Sequence, residues 1–182
     1  MHSSTQTPEP DPALAATAAW LPPFLHPLIH GANAFVDAYR SLGNAERAML
    51  RREDPQLCAG YWQCLRAARV TATNAGADNK YLGQLEKCLP LLVPVLDASN
   101  WHKGSGGLGA FLRSPRLSAR RVEAVLAETD RPGLAQQIDG LIRIAPEQKM
   151  DYGVLVAELI YWRINNTTMR RQWARQIFLD EA

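Results

Sequence analysis

Arginine dominates the side chains of this sequence that could do chemistry on a ligand. The chain has 182 residues, and sixteen of its twenty basic residues are Arg. The planar guanidinium presents a fork of donors that matches phosphate and carboxylate groups, and its weak hydration suits contacts at an interface. The arginine bias therefore indicates a partner that carries phosphate or carboxylate groups.

The charges are segregated along the chain, although the net charge is only +2. Residues 40–69 carry +3, whereas residues 103–121 carry +5 and residues 159–175 carry +4, in both cases with no acid. The segment at 122–158 carries −4. A solvated helix face explains any single run of this size. Three such runs in one small chain favour a basic binding surface.

A glycine-rich string at residues 104–109, GSGGLG, has the spacing of the dinucleotide-binding fingerprint. That fingerprint requires a preceding strand and a βαβ unit, and the sequence predicts neither, so we do not expect a cofactor loop. Two interpretations stay open. The loop could present backbone N–H groups to an anion with help from Lys103 and Arg113, or it could be a plain flexible loop.

The histidines form no convincing site. His26 and His30 have the spacing of metal ligands on a helix, but we expect Pro27 to interrupt that helix, and no third ligand is near. His102, beside Trp101, has no nucleophile or carboxylate motif to accompany it. We therefore predict no catalytic residue, no metal site and no cofactor, and expect a protein that is not an enzyme.

The tryptophans mostly lie at helical core spacing, so we predict that Trp62, Trp162 and Trp173 pack in the interior. Trp101 is predicted to lie in a loop beside a basic segment. Burial is the favoured role for Trp101, and stacking on an unpaired base is the alternative.

Cysteine usage and the N-terminal segment favour the cytoplasm. Cys58, Cys64 and Cys88 show no CxxC spacing, which fits a reducing compartment. The apolar stretch at 13–29 is preceded by acidic residues and broken by prolines, which is not typical of an export signal. No apolar run is long enough to span a membrane.

Helical periodicity dominates from residue 34 onward, and no alternation long enough for a strand is present. We predict an all-α fold, a bundle of eight to nine helices in one compact domain or in two closely joined lobes. Residues 1–12 are predicted to be a disordered tail, 13–33 an extension of unknown role with a short helix at 13–20, and 34–182 the helical domain.

Several helix starts have local signals. Asp54 with Pro55 predicts one helix that contains Leu57, Tyr61 and Trp62. The other predicted N-caps are Asn44, Ser118, Asp130 and Asp151.

An ordered set of short motifs runs along residues 34–180. It comprises Gly43 with Leu50, Arg51 and Arg52, the stretch at 106–112, Arg120 with Arg121 and Val122, Asp151 with Tyr152, Tyr161 with Trp162, and a final helix at 170–178. This set resembles the CasB family, the small subunit of the type I-E CRISPR interference complex, Cascade. Two positions depart from the pattern. Ala110 stands where Arg is usual, and Asp139 with Gly140 stands where a basic pair is often found, with Arg143 nearby.

The resemblance implies an all-α, non-catalytic protein of antiviral defence that helps to hold the R-loop. Its implied partners are guide RNA and target DNA, other Cascade subunits and a second copy of itself lying end to end, with no membrane. A protein that holds any displaced strand must ignore sequence. We therefore expect it to contact phosphates through Arg and Lys instead of reading base edges.

The matched arginines and the basic segments predict the backbone contacts, and we expect them to converge on one face. The leading candidates are Arg51, Arg52, Arg120, Arg121 and Arg143. The further candidates are Lys103, Arg113, Arg116, Arg163, Arg170 and Arg171.

Other classes of function remain as alternatives. The first is a helical adaptor whose arginine-rich faces dock acidic protein partners without touching nucleic acid. A helix-turn-helix regulator ranks lower because no convincing turn joins two suitable helices. An enzyme ranks last.

Overall fold

Nine α-helices lie within the residues that the computed structural model describes, which are 18–52, 54–96 and 100–179. The predicted tail at 1–12 and most of the predicted helix at 13–20 lie outside these ranges. The all-α prediction is confirmed. The helices are α1 His26–Ser41, α2 Asn44–Arg52, α3 Ala59–Asn74, α4 Asn79–Leu92, α5 Leu108–Leu112, α6 Ala119–Ala127, α7 Arg131–Ile144, α8 Tyr152–Ile164 and α9 Asn166–Phe178.

Helix α8 forms the centre of the bundle. Every residue from Met150 to Ile160 is buried, and α8 contacts α1, α4 and α9. A helix that is apolar all round is stable where other elements surround it. Asp151 caps its start as predicted, because Asp151 Oδ1 accepts a hydrogen bond from Val154 N–H at 3.0 Å.

Helices α1 and α3 form the most extensive helix pair. A Cβ on Gly31 of α1 would lie 2.8 Å from both Ala68 O and Ala72 Cβ of α3, so the small residues allow the two backbones to approach closely. Residues before α1 join the same core, since Leu21 and Leu25 are buried. Part of the predicted extension at 13–33 therefore packs into the interior of the fold.

The segment between α2 and α3 differs from the prediction. Asp54 caps a turn, with Oδ1 accepting from Gln56 N–H at 3.0 Å, but the turn is a separate 3₁₀ helix, Pro55–Leu57. Cys58 N–H donates to Pro55 O and closes this turn before α3 begins. The prediction of one continuous helix is wrong, and Leu57 is 79% exposed.

Trp62 was predicted in the core and is instead 54% exposed. Gly60 faces Leu42 and Leu50, and two positions along a helix rotate a side chain by about 200°, so Trp62 points away from them. Its Nε1 donates to Gln56 O at 2.8 Å, which fixes the ring at the surface. The burial expected for the other three tryptophans is confirmed at Trp101, Trp162 and Trp173.

One short pairing of extended chain lies beside the start of α8. Strand β1, Asn100–Trp101, pairs in parallel with β2, Lys149–Met150. Two residues in each strand are too few to produce an alternating pattern, which is why the sequence does not predict the pairing. The pairing brings the glycine-rich loop after β1 to the first turn of α8.

Candidate nucleic-acid interface

The glycine-rich loop is closed by carboxylates of the protein itself. Gly104 N–H donates to Asp151 Oδ2 at 2.6 Å, and Leu108 N–H donates to Glu158 Oε2 at 2.6 Å. Both carboxyl groups belong to fully buried residues. These two N–H groups already have internal acceptors, so the interpretation of the loop as an external anion site is wrong for them.

The glycines of this motif make room for buried side chains. A Cβ on Gly107 would overlap the Glu158 carboxyl group, and a Cβ on Gly109 would overlap Gln176 of α9. Burial raises the pKa of Glu158 to about 8, and the nearby Asp151 carboxylate adds to the rise while the Leu108 N–H opposes it. This part of the family-like pattern therefore serves core packing.

The first turn of α6 and the last turn of α7 lie side by side. Arg121 lines a cavity of about 250 Å³ together with Gly140 and Ile144 of α7. Arg116 Nε lies 2.8 Å from Glu147 Oε1, just beyond α7. These contacts place Arg116 and Arg121 against the C-terminal part of α7, the helix that also carries Arg143. We call these three residues, together with Arg113 and Arg120 of the same basic segment, the basic end.

Two residues of the basic end form exposed ion pairs. Arg116 pairs with Glu147, and Arg143 Nη2 lies 3.1 Å from Asp139 Oδ1, one turn earlier on α7. Exposed ion pairs typically contribute only about 0–1 kcal/mol. A phosphate group can replace such a carboxylate at little cost, so these pairs are compatible with a phosphate-binding surface.

Arg120 and Arg121 are exposed in the first turn of α6, which contains no acidic residue. Ser118 occupies the N-cap position as predicted, but its hydroxyl makes no capping hydrogen bond. The positive end of the helix dipole lies at this turn and disfavours cations there. An anion placed here would interact favourably with both guanidinium groups and with the helix end.

Arg51 and Arg52 are exposed in the last turn of α2, outside the basic end. Helices α2 and α7 both contact the 3₁₀ helix Val93–Val95. A shared neighbour does not by itself place the two arginines beside the basic end, so they stay separate candidates.

Lys103 and Arg170 make contacts that hold elements together. Lys103 Nζ lies 2.8 Å from Asp37 Oδ2, which ties the glycine-rich loop to α1. Arg170 Nη2 donates to the main-chain oxygen of Glu128 and, at 3.4 Å, to that of Ala127. It thereby satisfies carbonyl groups at the C-terminal end of α6. Arg171, the next residue on α9, is exposed.

Arg163 lies away from the basic end, in a cavity of about 840 Å³ where the ends of α4, α7, α8 and α9 meet. Lys87 and Arg131 line the same cavity. Sequence reasoning missed both because they lie in segments with a net negative charge. Their position beside Arg163 depends on helix packing, and no local pattern signals it.

The histidines lie on one helix after all, because Pro27 occupies the first turn of α1, where its missing N–H costs nothing. Within 18–52, 54–96 and 100–179, no three His, Cys, Asp or Glu residues are arranged to hold a metal ion. Cys58, Cys64 and Cys88 are buried and free. Across the same ranges, no helix combines the length and apolar character that crossing a bilayer requires.

Fold and surface together define an all-α protein with an arginine-rich end and a glycine motif packed on its own buried acids. Residues 46–178 match the family described as CRISPR-associated protein Cse2 (CRISPR_cse2). The match covers more than half of the chain, and the chain therefore belongs to this family, that of the CasB small subunit of type I-E Cascade. No curated protein and no solved structure matches the chain with significance.

Proposed function

We propose that this Cascade subunit binds the nucleic-acid backbone without sequence preference and stabilises the R-loop during target recognition. Guide RNA and target DNA are the proposed ligands, and a second copy of the chain and other Cascade subunits are the proposed protein partners. The role is proposed to be structural and not catalytic. Family membership and the basic end support this proposal.

The observation that carries the proposal is the pair Arg120 and Arg121. They are exposed in a helix turn whose dipole disfavours them, and no carboxylate of the described ranges forms an ion pair with them. A local arrangement that costs stability without a compensating contact is typical of a functional surface. Phosphate is the ligand that this arrangement suits best.

Backbone contacts of this kind are sufficient for the proposed role. Opening a target duplex against a guide is a nearly balanced exchange of base pairs, so modest contacts to the backbone can shift it. Contacts to phosphate carry no sequence information. A subunit that must bind every target requires this independence of sequence.

The test is the variant R120A/R121A, measured by fluorescence anisotropy with two unrelated single-stranded DNA sequences across a salt series. We expect weaker binding to both sequences, and a slope of log K against log salt that is smaller by about 0.7 to 0.9 for each lost phosphate contact. The matched control is R66A/K80A, which removes two exposed charges outside the basic end. It should leave the slope close to that of the parent chain.

The alternative function, a protein-interaction adaptor, predicts a different result in the same DNA-binding experiment. Exposed Trp62 and Leu57 favour it, because an exposed tryptophan with neighbouring apolar area is typical of protein contacts. An adaptor should show almost no salt-dependent binding to DNA. A preference of the parent chain for one of the two sequences would contradict both functions.

A further inference from the structure

The cavity where α4, α7, α8 and α9 meet has a strongly positive lining. Lys87, Arg131 and Arg163 line it, against one carboxylate among the lining residues, that of Asp130. Asp130 caps α7, with Oδ2 accepting from Gly133 N–H at 3.1 Å. Its carboxylate is therefore engaged at the helix start, and the cavity has an excess of cations.

Two helix beginnings add to this positive potential. The first residues of α7 and of α9 both line the cavity, Arg131 with Pro132 and Asn166 with Thr167. These helices have 14 and 13 residues, so each contributes the positive end of a full helix dipole. Three cations and two helix N-termini attract the same class of ligand, an anion.

Two donors in the wall behind the cavity lack an acceptor among the residues that the structure describes, but both atoms are buried away from the cavity space. Trp162 lines the cavity, is 3% exposed, and its indole Nε1–H has no acceptor within the described residues. Arg131 Nε is also buried without an acceptor there, although Arg131 Nη2 donates to Gln84 Oε1 at 3.4 Å. Buried polar groups are nearly always hydrogen-bonded. Neither atom is accessible from the cavity, so the three cations and the two helix beginnings are what favour an anion there.

We propose that this cavity binds a phosphate group of a polynucleotide backbone, a second contact site apart from the basic end. This inference rests on the proposed function. A phosphodiester offers only acceptor oxygens and a negative charge, which matches a lining of donors. A volume of about 840 Å³ accommodates the phosphate together with its flanking sugars. The exposed side chains of Lys87 and Arg163 are the proposed contacts to the phosphate.

The experiment follows the indole N–H resonance of Trp162 by NMR, assigned with W162F, during titration with inorganic phosphate and with oligothymidylate. We expect this resonance to shift with both probes. In K87A/R163A, which changes two exposed side chains, the shift should be lost and the salt slope for oligothymidylate should fall by about 0.7 for each lost contact. The control R66A/K80A removes one Arg and one Lys outside the cavity. It should retain the shift of the Trp162 resonance and the salt slope of the parent chain.

Each of the other outcomes contradicts either the cavity site or the proposed function. A Trp162 resonance that moves with neither probe overturns the cavity site, and the proposed function survives if R120A/R121A still weakens binding. A shift with inorganic phosphate alone, with an unchanged slope in K87A/R163A, identifies a free-anion site and overturns the polynucleotide assignment. If oligothymidylate does not bind the chain at all, the proposed function itself fails.

Discussion

Glu158 is a buried acid whose ionisation couples the fold to pH. Its carboxyl group accepts the Leu108 N–H bond and fills the space beside Gly107. Because burial raises its pKa to about 8, the folded protein holds this group largely protonated at neutral pH. A protonated carboxyl can still accept the bond from Leu108, so the contact does not require a buried charge.

This pKa shift predicts a pH-dependent stability. Between the ordinary pKa of 4.5 and the folded value of about 8, the folded chain keeps a proton that the unfolded chain loses. The free energy of unfolding should therefore fall as pH rises through this window, by an amount on the order of 5 kcal/mol. Urea titrations from pH 4 to 9 measure it. Glu158→Gln cannot ionise at this position, so the free energy of unfolding of this variant should depend less on pH. An equally steep pH dependence would show that another group causes the effect.

The close approach of α1 and α3 predicts the effect of a single methyl group. Gly31→Ala places a Cβ within 2.8 Å of α3, so we expect it to lower the free energy of unfolding by about 1–3 kcal/mol. Gly83→Ala is the matched control, because Gly83 of α4 has no atom within 4 Å of its Cβ position. For Gly83→Ala we expect the free energy of unfolding to rise by about 0.5–1 kcal/mol. Equal effects in chemical denaturation would contradict the tight helix contact.

Helix starts were predictable from the sequence where the signal is local. Asp130 and Asp151 cap their helices because the carboxylate and its N–H partner lie three residues apart. The exposure of Trp62 was not predictable in this way. Its outward position depends on which face of α3 packs against α1, and that contact joins residues distant in sequence, such as Gly31 and Ala68.

The candidate site was predictable only in part, for the same physical reason. Segregated charge identified Arg116, Arg120 and Arg121 as candidate contacts, but only the packing of α6 on α7 shows that Arg121 lies beside α7 and that Arg116 pairs with Glu147 just beyond it. The basic segments also predicted Arg170 as a backbone contact, but its guanidinium donates to the main-chain oxygen of Glu128 at the end of α6. Lys87 and Arg131 are absent from every basic run and gather with Arg163 through tertiary contacts.

Helix α1 lies before the segment that matches the family, yet it covers both α3 and α8. Gly153 N–H of α8 donates to Asn33 Oδ1 at 3.1 Å, and Gly31 meets Ala68 and Ala72. A shortened chain of residues 46–178 would leave those apolar faces open to water. We expect it to aggregate or to show no cooperative thermal transition by circular dichroism, whereas the full chain unfolds cooperatively. On this expectation, the smallest part that folds independently starts upstream of residue 46, where the family match begins.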